Sequence, residues 1–198
     1  MPKLGMEPIR RASLVDAAIA EFGRARTLDA TVGQIARRAG VSPALAHHYF
    51  GAKEQLFLAA MRHILRRFGD QTRAALKRAE TPRARLDALA RACFQPEQFH
   101  PEVVAAWRNF SVLAQTSPDA QRLLRRYHRR LRSNLAHDLR PLIGARAPAA
   151  AAGVAAMLAG IYIGQALNTA LASDDSAVAP VLRHLDLEIA AGPSEPSA

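Results

Sequence analysis

The chain has 198 residues, of which 49% are hydrophobic, and its formal net charge at pH 7 is +10. This apolar content is ample for a buried core, which excludes a chain that is disordered apart from its ends. The single cysteine, Cys93, excludes an internal disulfide and favours a reducing compartment. The first residues lack the apolar run of a signal peptide, so the sequence predicts a cytoplasmic protein.

Basic side chains are concentrated in the first two thirds of the chain. Residues 1–80 carry 14 basic and 7 acidic side chains, residues 81–145 carry 11 and 5, and residues 146–198 carry 2 and 5. A basic front end suits the neutralisation of phosphates, whereas the acidic end does not. Arginine also far outnumbers lysine, as a high-GC coding bias would produce, so charge alone is weak support for nucleic-acid binding.

The first predicted element is a helix over about residues 8–25. Leu14, Ala18 and Phe22 recur there at helical spacing and form an apolar stripe. Arg10 and Arg11 stay on the exposed side, where they either contact DNA phosphates or form a solvated charged end.

A helix-turn-helix is predicted over residues 31–53. Thr31, with Gln34 three residues later, predicts a capping box at the start of its first helix. Gly40 ends that helix, because glycine accepts the left-handed conformation. Ser42 is the N-cap of the second helix, and Pro43 fits its first turn, where the missing N–H costs nothing. Two short helices joined in this way are typical of proteins that insert the second helix into the DNA major groove.

The rest of the chain is predicted to continue as helices. A long helix opens at Lys53, and further helices start at Thr81-Pro82, after Pro101 and at Pro118, before an uncharged stretch at 147–173 and a final helix at 177–190. No strand pattern occurs, so the predicted fold class is all-α with about nine helices. We expect a helix-turn-helix domain over 1–52, a helical effector-binding and dimerisation domain over 53–191, and a disordered tail over 192–198.

The uncharged stretch 147–173 permits two interpretations. By length it could be a transmembrane helix with a close-packing glycine motif, which makes a membrane-anchored helical protein one alternative. Its many alanines are only weakly apolar, and Gln165 and Asn168 add polar groups, which favours a soluble helix packed against a twin copy. The predicted homodimer interface comprises Gly153, Ala156, Gly160, Gly164, Leu182 and Leu185.

The sequence carries no catalytic or cofactor-binding pattern. Its seven histidines show no HExxH arrangement and no metal-ligand spacing with the cysteine. Glycine-rich loops that bind nucleotide phosphates are also missing from the sequence. We therefore expect a protein that is not an enzyme, with neither a cofactor nor a metal site.

The run IARRAGVSPALAHHYFGAKEQLF resembles the DNA-binding signature of TetR-type repressors, including its aromatic pair and its lysine. The resemblance implies a homodimer that binds a pseudo-palindromic operator in double-stranded DNA. The phosphate contacts that it implies are Thr31, Ser42, His47, Tyr49 and Lys53. The base contacts that it implies are Pro43, Ala44 and Leu45, with His48 reaching either a base or a phosphate.

Four segments resemble the choline-sensing members of that family, namely MPKLGMEPIRR, ARRAGVSPALAHHYF, PEVVAAWRNF and RRLRSNLAHDLRPLI. This resemblance implies a repressor of choline-oxidation and transport genes that choline or its aldehyde releases from DNA. Aromatic faces hold a quaternary ammonium by cation–π attraction, and the implied ligand-binding residues are Trp107, Phe110, Tyr162 and Phe99. Plain core packing would equally explain these aromatic side chains.

Two positions depart from the choline-sensing pattern. Ala159 and Gly164 stand where the resembling proteins more usually have Asp and Arg. Without that carboxylate, a quaternary ammonium loses an electrostatic partner. A regulator that responds to another small, partly apolar molecule is therefore the alternative to a choline sensor.

Overall fold

The computed structural model describes residues 5–25, 30–167 and 175–192. Within these ranges it contains nine α-helices and no strand. The helices are α1 (Met6–Ala25), α2 (Val32–Arg38), α3 (Pro43–Phe50), α4 (Lys53–Lys77), α5 (Pro82–Ala92), α6 (Pro101–Leu113), α7 (Pro118–Ile143), α8 (Ala147–Leu167) and α9 (Asp175–Ala190). Short 3-10 turns at Pro96–Phe99 and Gly144–Arg146 precede α6 and α8. The predicted all-α fold class is confirmed, and the predicted tail lies outside the described residues beyond Gly192.

Local capping determines where several helices begin. Thr31, Ser42 and Thr81 each have an extended backbone, and each hydroxyl accepts a hydrogen bond from the backbone N–H three residues later. Proline occupies the first turn of α3, α5 and α6, where its missing N–H removes no intrahelical bond. These starts agree with the sequence prediction, whereas α1 begins at Met6, two residues earlier than expected.

One compact unit comprises residues 1–67 and 100–123. It contains α1, α2, α3 and α6 together with the first parts of α4 and α7. Its fully buried side chains include Leu14, Phe22, Ile35, Phe57 and Phe110. The rings of Phe22 and Phe57 meet edge to face with their centroids 5.0 Å apart, which joins α1 to α4 in the core of this unit.

Helices α1 and α6 approach each other closely within the first unit. A Cβ atom added to Gly23 of α1 would lie 2.5 Å from the Cα atom of Glu102 in α6. Real Cβ atoms essentially never approach another heavy atom so closely. Packing, rather than backbone conformation, therefore requires glycine at position 23.

The second compact unit comprises residues 68–99 and 124–198, and its described part has an aliphatic core. Leu86, Leu135, Leu139 and Val181 are each fully buried there, and burying such a side chain contributes about 1.5–3 kcal/mol. Cys93 belongs to the same core, where burial raises the pKa of its thiol to about 12. The thiol therefore stays protonated near neutral pH, which makes it a poor nucleophile.

One helical stretch, Pro118–Ala166, contains an 18-residue window with a mean hydropathy of 1.6. This window is long and apolar enough to cross a membrane by length and composition only, and 33% of it is buried within the chain. Core helices of soluble proteins pass the same test, so the finding is weak support for a membrane segment. Part of the uncharged stretch, residues 168–173, lies outside the described residues.

Candidate DNA-binding and effector sites

The first helix of the helix-turn-helix is held by a complete capping box. The backbone N–H of Gln34 donates to Thr31 Oγ1 over 3.2 Å, and the backbone N–H of Thr31 donates to Gln34 Oε1 over 2.7 Å. These two bonds satisfy donors that the start of a helix otherwise leaves without partners. Thr31 remains exposed, so its side chain lies at the surface that the TetR resemblance assigns to phosphate contacts.

The turn between α2 and α3 contains Gly40, whose φ of 68° lies in the left-handed region that favours glycine. Ser42 then caps α3, because its Oγ accepts a hydrogen bond of 3.2 Å from the backbone N–H of Leu45. Pro43 and Ala44 are exposed and Leu45 is half-buried. We call Pro43–Leu45 the α3 tip. It carries no carboxylate and no long polar side chain, so its side chains are small and apolar.

Two histidines extend the exposed face of α3 beyond its tip. Nδ1 of His47 lies 2.9 Å from the carbonyl oxygen of Gly51, so Nδ1 carries the proton and donates this bond. Nε2 of His47 is then an acceptor in the neutral ring, and it donates to a phosphate only when the ring is protonated at both nitrogens. The ring of His48 lies 5.6 Å from that of Tyr49, and the His48 side chain is exposed.

Arg11 of α1 holds the C-terminal end of α3. Its Nη1 donates to the carbonyl oxygen of Tyr49 over 2.8 Å. Its guanidinium lies 4.7 Å from the ring centroid of Tyr49 and 5.5 Å from that of Phe50, which adds cation–π attraction. The sequence left Arg11 between a phosphate contact and a solvated charge. In the structure it positions α3.

Glu21 ties α1 to α2, a contact that sequence reasoning missed. Its buried carboxylate accepts hydrogen bonds from Arg24 over 2.8 Å and from Arg38, the last residue of α2, over 3.0 Å. The bond from Arg24, aided by Arg38, outweighs the effect of burial and holds the pKa of Glu21 below its usual value. The available signal was a carboxylate directly beside Phe22 of the apolar stripe.

Lys53 is the exposed first residue of α4, and the residues after it are bonded to the start of α7. Ser117 Oγ donates to Glu54 Oε1 over 2.5 Å, and Gln55 Nε2 donates to Asp119 Oδ2 over 3.3 Å. These bonds hold the first turn of α4 in place. They thereby restrict the positions that the ammonium group of Lys53 can reach. An ammonium group is a donor that can bind a phosphate oxygen.

The four predicted ligand-binding aromatics fall into two pairs. Trp107 and Phe110 belong to the first unit, with ring centroids 5.9 Å apart, and Phe99 and Tyr162 belong to the second, with centroids 5.2 Å apart. Phe110 has no exposed surface and forms part of the core of its unit. Trp107, Phe99 and Tyr162 are half-buried. The structure thus brings together the members of each pair.

Tyr162 joins α8 to the 3-10 turn before α6. Its hydroxyl donates to the carbonyl oxygen of Gln98 over 2.8 Å, and the ring of Phe99 stacks with that of Phe94 at 6.4 Å. The ring of Tyr127 of α7, a candidate that sequence reasoning missed, lies 6.2 Å from that of Phe68. Burial raises the pKa of both tyrosines, so both phenols stay neutral. We call Phe94, Phe99 and Tyr162 the aromatic cluster.

The predicted interface residues of α8 form one exposed strip. Gly153, Ala156, Gly160 and Gly164 follow one another at helical spacing and are all exposed. A Cβ atom added at any of these three glycines would meet no atom of the chain within 4 Å. In α9, Leu182 is half-buried, whereas Leu185 is fully buried within the single chain. The α8 strip is therefore open to another surface, while Leu185 belongs to the core.

Metal sites are the other kind of site that histidines and carboxylates can form. Within residues 5–25, 30–167 and 175–192, no group of three or more His, Cys, Asp or Glu side chains could hold a metal ion. Single histidine–carboxylate pairs do occur, such as His63 with Asp16 at 3.9 Å and His184 with Glu188 at 3.8 Å. Two ligands of this kind are too few for a typical protein zinc site.

A capped helix-turn-helix that exposes its second helix, followed in the chain by a larger helical part, defines a DNA-binding transcriptional regulator. Residues 14–60 match the family described as bacterial regulatory proteins, tetR family. Residues 82–190 match the family described as BetI-type transcriptional repressor, C-terminal. The chain therefore belongs to the tetR family of transcriptional regulators and has a C-terminal part of the BetI type.

The chain is 50% identical over 195 residues to the HTH-type transcriptional regulator BetI of Brucella suis, which covers 98% of each protein. Its fold is similar to that of a transcriptional regulator from Pseudomonas aeruginosa PAO1, with a TM-score of 0.82 and 26% identity over 95% of this chain and 93% of that one. A transcriptional regulator from Saccharomonospora viridis, solved in complex with choline, has a TM-score of 0.74 and 20% identity over 91% of this chain and 95% of that one. These homologues are transcriptional regulators and not enzymes.

Proposed function

We propose that the chain is a homodimeric repressor whose α3 binds a pseudo-palindromic operator and which choline releases from DNA. The observation that carries the proposal is the capped helix-turn-helix, in which Gly40 sets the turn and Ser42 caps α3. The first turn of α3, which contains the α3 tip, carries no acidic side chain, and Pro43 and Ala44 are exposed there. Regulators of the tetR family bind DNA and small-molecule effectors, which supports the same assignment.

The proposed DNA contacts are of two kinds. Pro43, Ala44 and Leu45 meet base edges, where small apolar side chains contact thymine methyl groups but form no bidentate hydrogen bonds. The proposed phosphate contacts are Thr31, Ser42, His47, Tyr49 and Lys53, with His48 reaching a base or a phosphate. Phosphate contacts strengthen binding to every sequence, and base contacts select among sequences. Two copies related by a two-fold axis read half-sites about 34–36 Å apart.

The proposed homodimer interface lies on α8 and α9, which pack against each other in the second unit. In addition to the exposed α8 strip, two large apolar side chains are exposed on these helices. Ile163 of α8 is 52% exposed and Leu187 of α9 is 70% exposed. Exposed apolar surface of this kind is buried favourably against a partner, and small residues let two helices approach closely. Leu182 and Leu185 of α9 are the remaining proposed interface residues; Leu182 is half-buried and Leu185 is buried in the core of its own chain.

Choline is the proposed effector on three grounds. Four segments of the sequence resemble choline-sensing repressors, and the chain is 50% identical to BetI of Brucella suis. The Saccharomonospora viridis regulator, whose fold is similar, was solved in complex with choline, which supports the same assignment. Phe99 and Tyr162 supply adjoining aromatic faces for an ammonium group, with Trp107 and Phe110 as the remaining proposed contacts.

A second candidate effector is a small, partly apolar molecule with less positive charge. Ala159 supplies no carboxylate to balance an ammonium ion, and the phenols of Tyr127 and Tyr162 are neutral. A neutral lining lowers the electrostatic advantage of a cation over a neutral ligand of the same shape. The two candidates differ in whether choline lowers operator affinity.

The experiment measures operator binding by the full chain, using fluorescence anisotropy with DNA from upstream of its own and its neighbouring genes. We expect a dimer whose affinity falls steeply with salt, as released counterions predict, and which choline displaces. By linkage, operator DNA must lower choline affinity by the same factor. A monomer that binds asymmetric DNA equally well would contradict the repressor assignment. Unchanged operator affinity in saturating choline would contradict the choline assignment alone.

A further inference from the structure

Gln165 of α8 carries a buried acceptor without a partner in the described chain. Its Oε1 atom is inaccessible to solvent and receives no hydrogen bond. Among the described residues, only Nδ2 of Asn109 and Oδ2 of Asp138 share this state. Asp138 is bonded through its other oxygen, because Arg85 Nε donates to Oδ1 over 2.8 Å. Buried carbonyl oxygens are nearly always hydrogen-bonded, so Gln165 requires a specific explanation.

Gln165 stands three residues after Tyr162, so both side chains lie on the same side of α8. Tyr162 belongs to the aromatic cluster, with its ring 5.2 Å from that of Phe99 and its hydroxyl bonded to Gln98. Ala159 stands one turn before Tyr162 and adds only a methyl group. These three positions of α8 therefore carry an unused acceptor at Gln165, one helical turn from Tyr162, and no charged side chain.

An amide oxygen one helical turn from an aromatic ring selects a definite ligand chemistry. The rings accommodate an apolar or onium group, whereas the oxygen accepts a hydrogen bond from a hydroxyl or an N–H group. The hydroxyl proton of Tyr162 is already donated to Gln98, so Tyr162 cannot serve as the donor for Gln165 at the same time. A ligand whose hydroxyl is methylated would leave Gln165 Oε1 without a donor, which disfavours its binding.

We infer that Gln165 determines the specificity of the proposed effector site by accepting a hydrogen bond from a hydroxyl group of the effector. This inference rests on the proposed function and makes the effector a small alcohol with a compact onium or apolar body. The corresponding ether, which has the same body but no donor, binds more weakly. Choline and its O-methyl ether form such a pair.

The experiment titrates the full-length chain with choline and with O-methylcholine by calorimetry. The wild type should bind choline about 5- to 10-fold more tightly than the ether, the ratio that one neutral hydrogen bond typically produces. Gln165→Met keeps the length of the side chain but removes the acceptor, so it should bind the two ligands equally. Gln165→Glu keeps an acceptor and adds a negative charge, so it should retain the preference and bind choline more tightly than the wild type does.

The matched control is Gln115→Met, the same substitution at an exposed glutamine of the other unit. It should leave both affinities unchanged, and every variant should retain the operator affinity of the ligand-free wild type. A preference for choline that persists in Gln165→Met would overturn the inference and leave choline as the effector. Equal losses for both ligands would overturn it by showing a purely structural role. Absence of choline binding by the wild type would overturn the choline assignment and this inference with it.

Discussion

Helices α3 and α8 both expose one face, but the chemistry of the two faces differs. On α3 the exposed side chains include His47 and His48, with Lys53 close behind in the sequence. The α8 strip consists only of glycine and alanine. Exposure alone therefore does not distinguish a DNA-binding surface from a protein-binding one. Polar donors and cations suit a polyanion, whereas small uncharged residues suit a second copy of the same helix.

The largest effect is expected when a negative charge is placed on the α3 tip. Ala44→Asp brings a carboxylate against the DNA, and operator affinity should fall by at least about 100-fold, or roughly 3 kcal/mol. Position 44 is exposed, so the free energy of unfolding should change little. Gln115→Glu adds the same charge to an exposed residue of α6's C-terminal turn and serves as the control in anisotropy titrations. Wild-type affinity in Ala44→Asp would remove α3 from the DNA interface.

Added bulk should have the next largest effect, and it should act on α8 rather than on DNA binding directly. In the single chain, a Cβ atom at Gly160 meets nothing within 4 Å, so Gly160→Leu should fold normally. In the proposed dimer, overpacking costs about 1–3 kcal/mol, which weakens association by about 5- to 150-fold. Sedimentation equilibrium measures the loss, with Ser133→Leu on the exposed side of α7 as the control. A tight Gly160→Leu dimer would place the interface elsewhere.

Removing one cation near α3 should weaken DNA binding without changing sequence preference. Lys53→Ala should reduce affinity by about 5- to 10-fold for all operator variants alike, because a phosphate contact carries no sequence information. The slope of log affinity against log salt should fall by about 0.9 for each contact, hence by about 2 in a dimer. Lys77→Ala removes the same charge at the exposed far end of α4 and is the control. A changed base preference in Lys53→Ala would contradict its assignment to phosphate.

The smallest effect should come from Glu21, which holds α2 without touching DNA. Hydrogen bonds from Arg24 and then Arg38 lower its folded-state pKa below the ordinary value of 4.5. The stabilisation is therefore fully present above about pH 4.5 and is lost as the pH falls through the lowered folded-state pKa. Glu21→Gln removes this titration, so its free energy of unfolding should depend less on pH in that window. At pH 7 it should be lower by about 1 kcal/mol, a modest figure because both arginines are largely exposed.

Chemical denaturation at pH 7 and at pH 3.5 measures this difference. Glu7→Gln is the control, because Glu7 is an exposed carboxylate that is also bonded to an arginine of α1. The acid dependence of Glu7→Gln should match that of the wild type. If Glu21→Gln behaved in the same way as Glu7→Gln, Glu21 would contribute nothing beyond an ordinary surface ion pair.

The helix starts were predictable because the information for them is local. The caps at Thr31, Ser42 and Thr81 involve backbone groups only three residues away, and proline marks the adjoining first turns. The all-α class followed from apolar residues that recur with helical spacing. The position of the α3 tip followed from the Ser42 cap and from Pro43 in the first turn.

Contacts between distant segments were not predictable in this way. Arg11 and Tyr49 are 38 residues apart, and Tyr162 and Gln98 are 64 apart. Helical spacing indicates which side of a helix a residue occupies, but not which partner it meets. Phe110 shows the same limit, since the sequence permitted a ligand contact and the structure buries its ring completely.

The domain boundaries and the site residues stay predictions. The compact unit that contains the helix-turn-helix extends to residue 67, because the start of α4 packs with α1 through Phe57 and Phe22. A boundary at 52 follows the end of α3 in the sequence, whereas packing follows buried side chains. The end of α3 defines where the DNA-binding motif stops, whereas packing defines which residues form one compact unit. Binding experiments on the proposed site residues test their functional assignment.

The close contact of Gly23 with Glu102 makes the crossing of α1 and α6 mechanically stiff. Where side chains interdigitate, a change of rotamer absorbs a small shift, but at this crossing Gly23 has no side chain to rearrange. A displacement of α6 towards α1 therefore moves the α1 backbone directly, because no side chain of Gly23 can change its rotamer to absorb it. Glu21 lies two residues away on α1 and is bonded to Arg38 at the end of α2. The rigidity of the crossing between α1 and α6 thus determines how closely a movement of α2 matches a movement of α6.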